Sequence, residues 1–167
     1  MSGLCPVASK SAALGDEDLV FEPWLQGTWI LWVDPMEEDT SYMAIRETLV
    51  GYVVDRWSIL EEGTQRSFAR LGALGEHRVL EFEEEGPLAH WLWLVEGGGD
   101  EFTVRWLDAH EVRQALEEGR YETPWDDQVG PVLLTAPAEE VRAQLARMLS
   151  DPRLLAPELL WYRAAGG

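Results

Sequence analysis

The sequence has few of the residues on which recognisable chemistry or membrane insertion depends. One cysteine, Cys5, excludes a disulfide within the chain. Three histidines, His77, His90 and His110, have no short metal-ligand spacing, and no nucleophile elbow, P-loop or dinucleotide-binding fingerprint is present. The apolar runs are too short to span a bilayer, and the N-terminus lacks the pattern of a signal peptide. We therefore expect a cytoplasmic protein and assign no catalytic residue, metal site or cofactor.

Basic residues are also scarce. Lysine and arginine total 13 against 31 aspartates and glutamates, and the net charge is −18. Because phosphate recognition depends on clusters of Lys and Arg, this balance argues against nucleic acid as a partner, and equally against an anionic membrane surface. An acidic surface can still attract a basic protein over long range. The charge predicts either a solvated acidic shell or a basic protein partner.

Tryptophan, in contrast, is abundant, with nine residues in a chain of ordinary apolar content. The length of 167 residues fits a single domain with a sizeable core. Residues 1–20 mix Ser, Ala, Gly and acidic residues without periodicity, which predicts a flexible N-terminal leader. The single domain is expected over residues 21–167.

Short runs rich in β-branched and aromatic residues, separated by turn residues, predict an antiparallel meander. These runs are 24–33, 48–60, 64–71, 77–83, 88–96 and 101–107, followed by a short strand in 131–135 and a closing strand at 157–163. Helical periodicity over 109–118 and 137–149 predicts two short helices, with Asp108 and Thr135 as candidate N-caps. Since segments 24–33 and 88–95 are apolar on both faces, another layer must cover their outer face. The expected fold is mainly β, an antiparallel barrel of about seven to nine strands with two covering helices.

The stretch "WLQGTWILWV" contains a Gly-x-Trp motif at Gly27 and Trp29, in the first predicted strand. In this position the motif resembles that of lipocalins and the wider calycin group. The segments "RWLDAHEVRQALEEG" and "VLLTAPAEEVRAQL" are similar to the layout of small bacterial lipocalin-like proteins. Over roughly residues 24–163, the resemblance implies that Trp29 packs across the closed end of a β-barrel and is covered by Arg163 from the last strand.

The resemblance also implies an aromatic-lined cavity able to hold one small apolar ligand. The best candidates for lining it are four tryptophans in the predicted strands: Trp57, Trp91, Trp93 and Trp106. The alternative is that these rings fill the barrel as an ordinary core. His90 could ligate haem, as in haem-binding calycin relatives, although a structural histidine is the commoner case. Asp55 and Arg56 lie within an apolar strand, and a buried pair there could line a pocket.

Three functional hypotheses stay open. The preferred one is non-catalytic binding of a small hydrophobic or aromatic molecule in a Trp-lined barrel. The second is an acidic interaction module, such as an inhibitor, immunity protein or adaptor, that binds a basic protein. The third is a barrel enzyme, such as a cyclase or isomerase, in which the shape of the cavity does most of the catalysis.

Overall fold

The protein is a closed antiparallel barrel of eight strands with two helices, which confirms the expected fold class. The computed structural model describes residues 7–32, 39–84, 89–127 and 130–165, so Cys5 and the predicted strand ends at 33 and 88 lie outside it. The elements in chain order are β1 (Ala8–Ser9), β2 (Gly27–Leu31), β3 (Ser41–Glu47), β4 (Tyr52–Ser58), β5 (Gln65–Leu74), β6 (His77–Glu84), β7 (Ala89–Gly98), β8 (Glu101–Arg105), α1 (Ala109–Glu117), β9 (Trp125–Asp126), β10 (Leu133–Leu134), α2 (Ala138–Leu149) and β11 (Leu159–Arg163).

Closure of the barrel depends on β11. Strands β2 to β8 pair in sequence order, each antiparallel to the next, and β11 then pairs with both β8 and β2. The closing strand expected at 157–163 is therefore the strand that joins the two ends of the meander. Between β8 and β11 the chain leaves the barrel to form both helices and the short strands β9 and β10.

One barrel strand, β3, was not predicted. Only Met43 and Ile45 are buried on its inner face, and the strand ends in charged residues, so its apolar alternation is short. The predicted strand 48–60 begins too early, because residues 48–51 form the β3–β4 turn, closed by the Thr48 amide donating to the Gly51 carbonyl. Leu49 and Val50 are exposed in that turn. These two apolar residues extended the predicted strand into the turn, because composition carries no information about the exposure of a side chain.

The N-terminal segment is packed from Val7 onward, which differs from the loose leader expected over residues 1–20. Strand β1 pairs antiparallel with β7 and parallel with β10. Leu14 is buried, and the Ala13 amide donates to the Glu81 carboxylate at 2.6 Å. Burial of Glu81 with hydrogen-bond donors avoids the cost of an unpaired charge. These contacts come from distant strands, so a segment without periodicity acquires its structure from tertiary pairing. Residues 1–6 lie outside the described residues.

The helices cover the outer face of β7 and part of that of β5 and β6, as the apolar segment 88–95 required. The cover expected over segment 24–33 is not seen among the described residues, because no residue of β2 packs in the core that includes the helices and Trp32 is exposed. On β7, Trp91 and Trp93 belong to the core inside the barrel, whereas Leu92 and Leu94 belong to a second core shared with both helices. The side chain of Asp108 caps α1 by accepting from the Glu111 amide at 3.1 Å.

The cap predicted for α2 is wrong. The helix begins at Ala138 and the N-cap position is Pro137, without a side-chain cap. Thr135 lies two residues earlier, and its amide donates to the carbonyl of Pro124. No helix among the described residues is long and apolar enough to cross a membrane.

Candidate functional site

The two ends of the barrel differ, and the end that holds the Gly-x-Trp motif is closed. Trp29 on β2 faces Arg163 on β11, and the guanidinium carbon of Arg163 lies 4.3 Å from the centroid of the Trp29 ring. The Arg163 guanidinium donates to carbonyl groups of three further residues, Gln26, Trp24 and Gly99, at 2.7–2.9 Å. This single side chain therefore ties the β2 entry, the β7–β8 turn and β11 together.

Gly27 is required beside Arg163 for two reasons. Its φ of +136° lies in a region that side-chain-bearing residues avoid, and a β-carbon there would collide with Nη1 of Arg163. The glycine thus gives the guanidinium the space to reach the main chain and the indole face.

Trp29 fills the closed end. Its side chain is fully buried, its ring meets Phe102 edge-on at 4.6 Å, and its indole N–H donates to the Leu25 carbonyl at 3.0 Å. Leu25 belongs to a 3-10 turn, Pro23–Leu25, that precedes β2. At this end the aromatic rings form a solid core.

A cavity of about 470 Å³ lies toward the other end, and small-molecule sites commonly have a volume of roughly 300–1,000 Å³. All four tryptophans named from the sequence line it, together with Trp161: Trp57, Trp91, Trp93, Trp106 and Trp161. The barrel is therefore filled at one end and hollow at the other.

Contacts behind the cavity hold two of these rings in place. Phe82 stacks on Trp91 at 4.1 Å with an interplanar angle of 10°, and meets Trp93 at 4.8 Å in an edge contact. Phe82 is itself fully buried. Because the rings are fixed before a ligand arrives, binding would cost little side-chain entropy.

Trp57 occupies a different place from the other rings. Val54, on the same strand β4, is in the inner core, so the period of two puts Arg56 on the inner face and Trp57 on the outer face. Trp57 stacks on Tyr42 of the neighbouring strand at 5.6 Å with an interplanar angle of 8°. It therefore contributes to the rim rather than to the wall.

Trp161 is the wall residue that the sequence analysis missed. It lies on β11 two residues before Arg163 and is almost completely buried. Since alternate residues of a strand share a face, the inward position assigned to Arg163 could have identified Trp161 as inward-facing too. The indole N–H groups of Trp161 and Trp91 are buried without an acceptor among the described residues.

Arg56 brings a positive charge into this aromatic cavity. Its guanidinium carbon lies 5.8 Å from the centroid of the Trp91 ring and 5.7 Å from that of Trp93. Asp55 does not share the site, because it lies on the outer face of β4 and binds Arg66 through two hydrogen bonds of 2.7 and 2.9 Å. The hydrogen bond from Arg66 lowers the pKa of Asp55. The two residues considered as a possible pair thus face opposite sides of the sheet.

His90 lies outside this cavity. It is next to Trp91 on β7 and so faces the other side of the sheet, where it is in register with Ser9 of β1. A haem in the main cavity could not take His90 as its axial ligand. Across the described ranges, no three His, Cys, Asp or Glu side chains group in a way that could hold a metal ion.

Besides Trp57, the rim of the cavity carries polar side chains. Hydroxyl, amide and carboxylate side chains line it: Ser41, Ser58, Thr64, Gln65, Glu61 and Glu62. The arrangement can hold an apolar or aromatic body by stacking and a polar group by hydrogen bonds.

Comparison of the chain with protein-family models, with curated proteins and with solved structures found no match in any of the three.

Proposed function

We propose that the protein binds a small hydrophobic or aromatic molecule without catalysing its conversion. The observation that carries the proposal is the cavity of about 470 Å³ with tryptophans from three strands around it. Stacking on Trp91 and Trp93, which Phe82 already holds, supplies the contact area and orients a flat ligand.

A relationship to small bacterial lipocalin-like proteins is part of the same proposal. Support comes from the closed eight-stranded barrel and from the contact of Arg163 with Trp29 at the closed end. These features are compatible with a lipocalin-like barrel, and the fold by itself does not select a ligand. A cytoplasmic location stays a prediction.

The test uses a neutral apolar probe, N-phenyl-1-naphthylamine. Probe bound at the tryptophans should quench their fluorescence, and the melting temperature should rise with probe concentration because the ligand binds only the folded state. At a hundred times Kd the stabilisation is about 2.7 kcal/mol. For a chain of this size that corresponds to a rise of roughly 5–11 °C.

Two variants locate the binding site. Trp93→Ala removes a wall ring and should weaken probe binding at least about tenfold, equivalent to about 1.4 kcal/mol. Trp32→Ala removes an exposed ring that is absent from the lining of the cavity, and should leave binding unchanged. Absence of both quenching and thermal stabilisation, up to the solubility of the probe, would overturn the proposal.

The net charge of −18 supports a second candidate, an acidic module that binds a basic protein. Such binding would have an on-rate that falls steeply between low and physiological ionic strength. Binding of the neutral probe should hardly respond to salt, so the two candidates separate in the same buffer series. The barrel-enzyme hypothesis stays a prediction, and we assign no catalytic residue to it.

A further inference from the structure

We propose that the molecule bound in this cavity carries an anionic group, a carboxylate or a sulfonate, that Arg56 recognises. The inference rests on the proposed ligand-binding function and adds the charge of the ligand to it. Its basis is the position of one guanidinium inside a cavity of an otherwise strongly acidic protein.

Arg56 is directed inward by its strand. Its neighbours two positions away include Val54, which is fully buried in the barrel core, and its cross-strand partners are Met43 and Gln65. Among the described residues that line the cavity, Arg56 is the only basic one. An anion that enters the cavity would therefore find its complementary charge at this position.

The guanidinium of an arginine can bind a ligand and protein groups at the same time, because it has more N–H donors than one carboxylate uses. It carries five N–H donors in a planar fork that matches a carboxylate, and it remains charged at every physiological pH. Its position near the faces of Trp91 and Trp93 places the anion site beside the rings that would stack on an apolar body. The two halves of an aromatic anion thus have adjacent complementary surfaces.

A cationic ligand fits the same cavity poorly. Aromatic faces attract cations, but the guanidinium already lies against two of the four wall rings and would repel a second positive charge. The rim carboxylates of Glu61 and Glu62 are exposed, so water and salt screen them more than the inward guanidinium is screened.

The experiment compares three naphthalenes that differ in charge: 1-naphthoate, 1-naphthamide and 1-naphthylmethylammonium. Wild-type protein at pH 7 should bind the carboxylate at least about tenfold more tightly than the ammonium compound, with the amide between them. A net charge of −18 favours the opposite order for ligands that bind the surface without a specific site. The order of affinities therefore tests the cavity charge before any variant is made.

Variants then assign the preference to one residue. Arg56→Met should lower the ratio of naphthoate to naphthamide affinity at least about tenfold, and Arg56→Lys should retain part of it. The matched control is Arg66→Met, which removes one positive charge from the outer face of the adjacent strand and should leave the ratio unchanged.

Three results would overturn the inference. The first is that wild-type protein binds the ammonium compound as tightly as the carboxylate. The second is that Arg56→Met leaves the ratio of naphthoate to naphthamide affinity unchanged. The third is that Arg66→Met changes this ratio as much as Arg56→Met does. Binding of naphthamide and of the neutral probe in those cases would leave the proposed ligand-binding function intact. Failure of all naphthalenes and of the neutral probe to bind would remove both proposals. If Arg56→Met does not fold, the relative affinities of the three naphthalenes for wild-type protein still test the inference.

Discussion

Replacement of Trp29 by alanine should destabilise the protein by an amount that can be worked out from the contacts of its ring. The ring is fully buried, meets Phe102 edge-on, lies under the Arg163 guanidinium and donates to the Leu25 carbonyl. Removing a buried aromatic ring costs about 3–5 kcal/mol, which includes the lost ring and cation contacts. That is a large share of the roughly 5–15 kcal/mol by which a typical protein is stable. The melting temperature should fall by roughly 6–20 °C.

Urea unfolding followed by far-ultraviolet circular dichroism measures the change, because the remaining tryptophans complicate a fluorescence signal. Trp29→Phe should lose less, since a ring remains to pack against Phe102 and only the indole hydrogen bond, worth about 0.5–1.5 kcal/mol, and some volume are lost. The matched control is Trp32→Ala. That ring is 59% exposed, so its removal should change the free energy of unfolding by no more than about 0.5 kcal/mol.

The reasoning fails if Trp29→Ala and Trp32→Ala destabilise the protein equally. It also fails if Trp29→Ala loses less than about 1.5 kcal/mol, which is below the range for a buried aromatic ring.

Two further stability predictions follow from the same structure. Gly27→Ala should destabilise the protein more than Gly119→Ala does. Both glycines have a positive φ, but only at Gly27 would the new β-carbon also collide with Arg163. Equal falls in melting temperature for the two variants would contradict this. Asp18 pairs with Arg142 of α2, and the hydrogen bond from Arg142 lowers the pKa of Asp18 in the folded protein. The pair therefore contributes stability above the unfolded pKa of about 3.9, and this contribution is lost as pH falls through the lower folded pKa. Asp18→Asn should cost about 1 kcal/mol at pH 7 and progressively less below about pH 4, as measured by urea unfolding at several pH values; a difference independent of pH would argue against the ion pair.

Most of the barrel could be predicted because strands and turns leave local signals. In β7 the residues alternate between the inner and outer cores while both faces are apolar, and that pattern alone required a covering layer. Where the local signal was misleading, the prediction was wrong. Leu49 and Val50 have the composition of a strand but lie exposed in the β3–β4 turn.

The N-terminal segment shows the limit of local signals more clearly. Residues 7–20 show no periodicity, yet the Ala13 amide donates a hydrogen bond to Glu81 and Asp18 pairs with Arg142. The second of these contacts joins residues separated by more than half of the chain. Such pairings depend on where distant elements lie, and sequence spacing carries no information about that.

The sequence by itself determined the alternation of the strands, the two helices and the abundance of tryptophan in the barrel, because side-chain period and turn chemistry are local properties. Only the tertiary structure decided that the rings pack solidly around Trp29 and leave a cavity beside Trp91 and Trp93, because an empty volume depends on how strands register and close. It also decided that Arg56 faces this cavity while Asp55 lies on the outer face of the barrel beside Arg66. A one-residue change of register would exchange those two faces, so the charge inside the barrel is a property of the register in which the strands close.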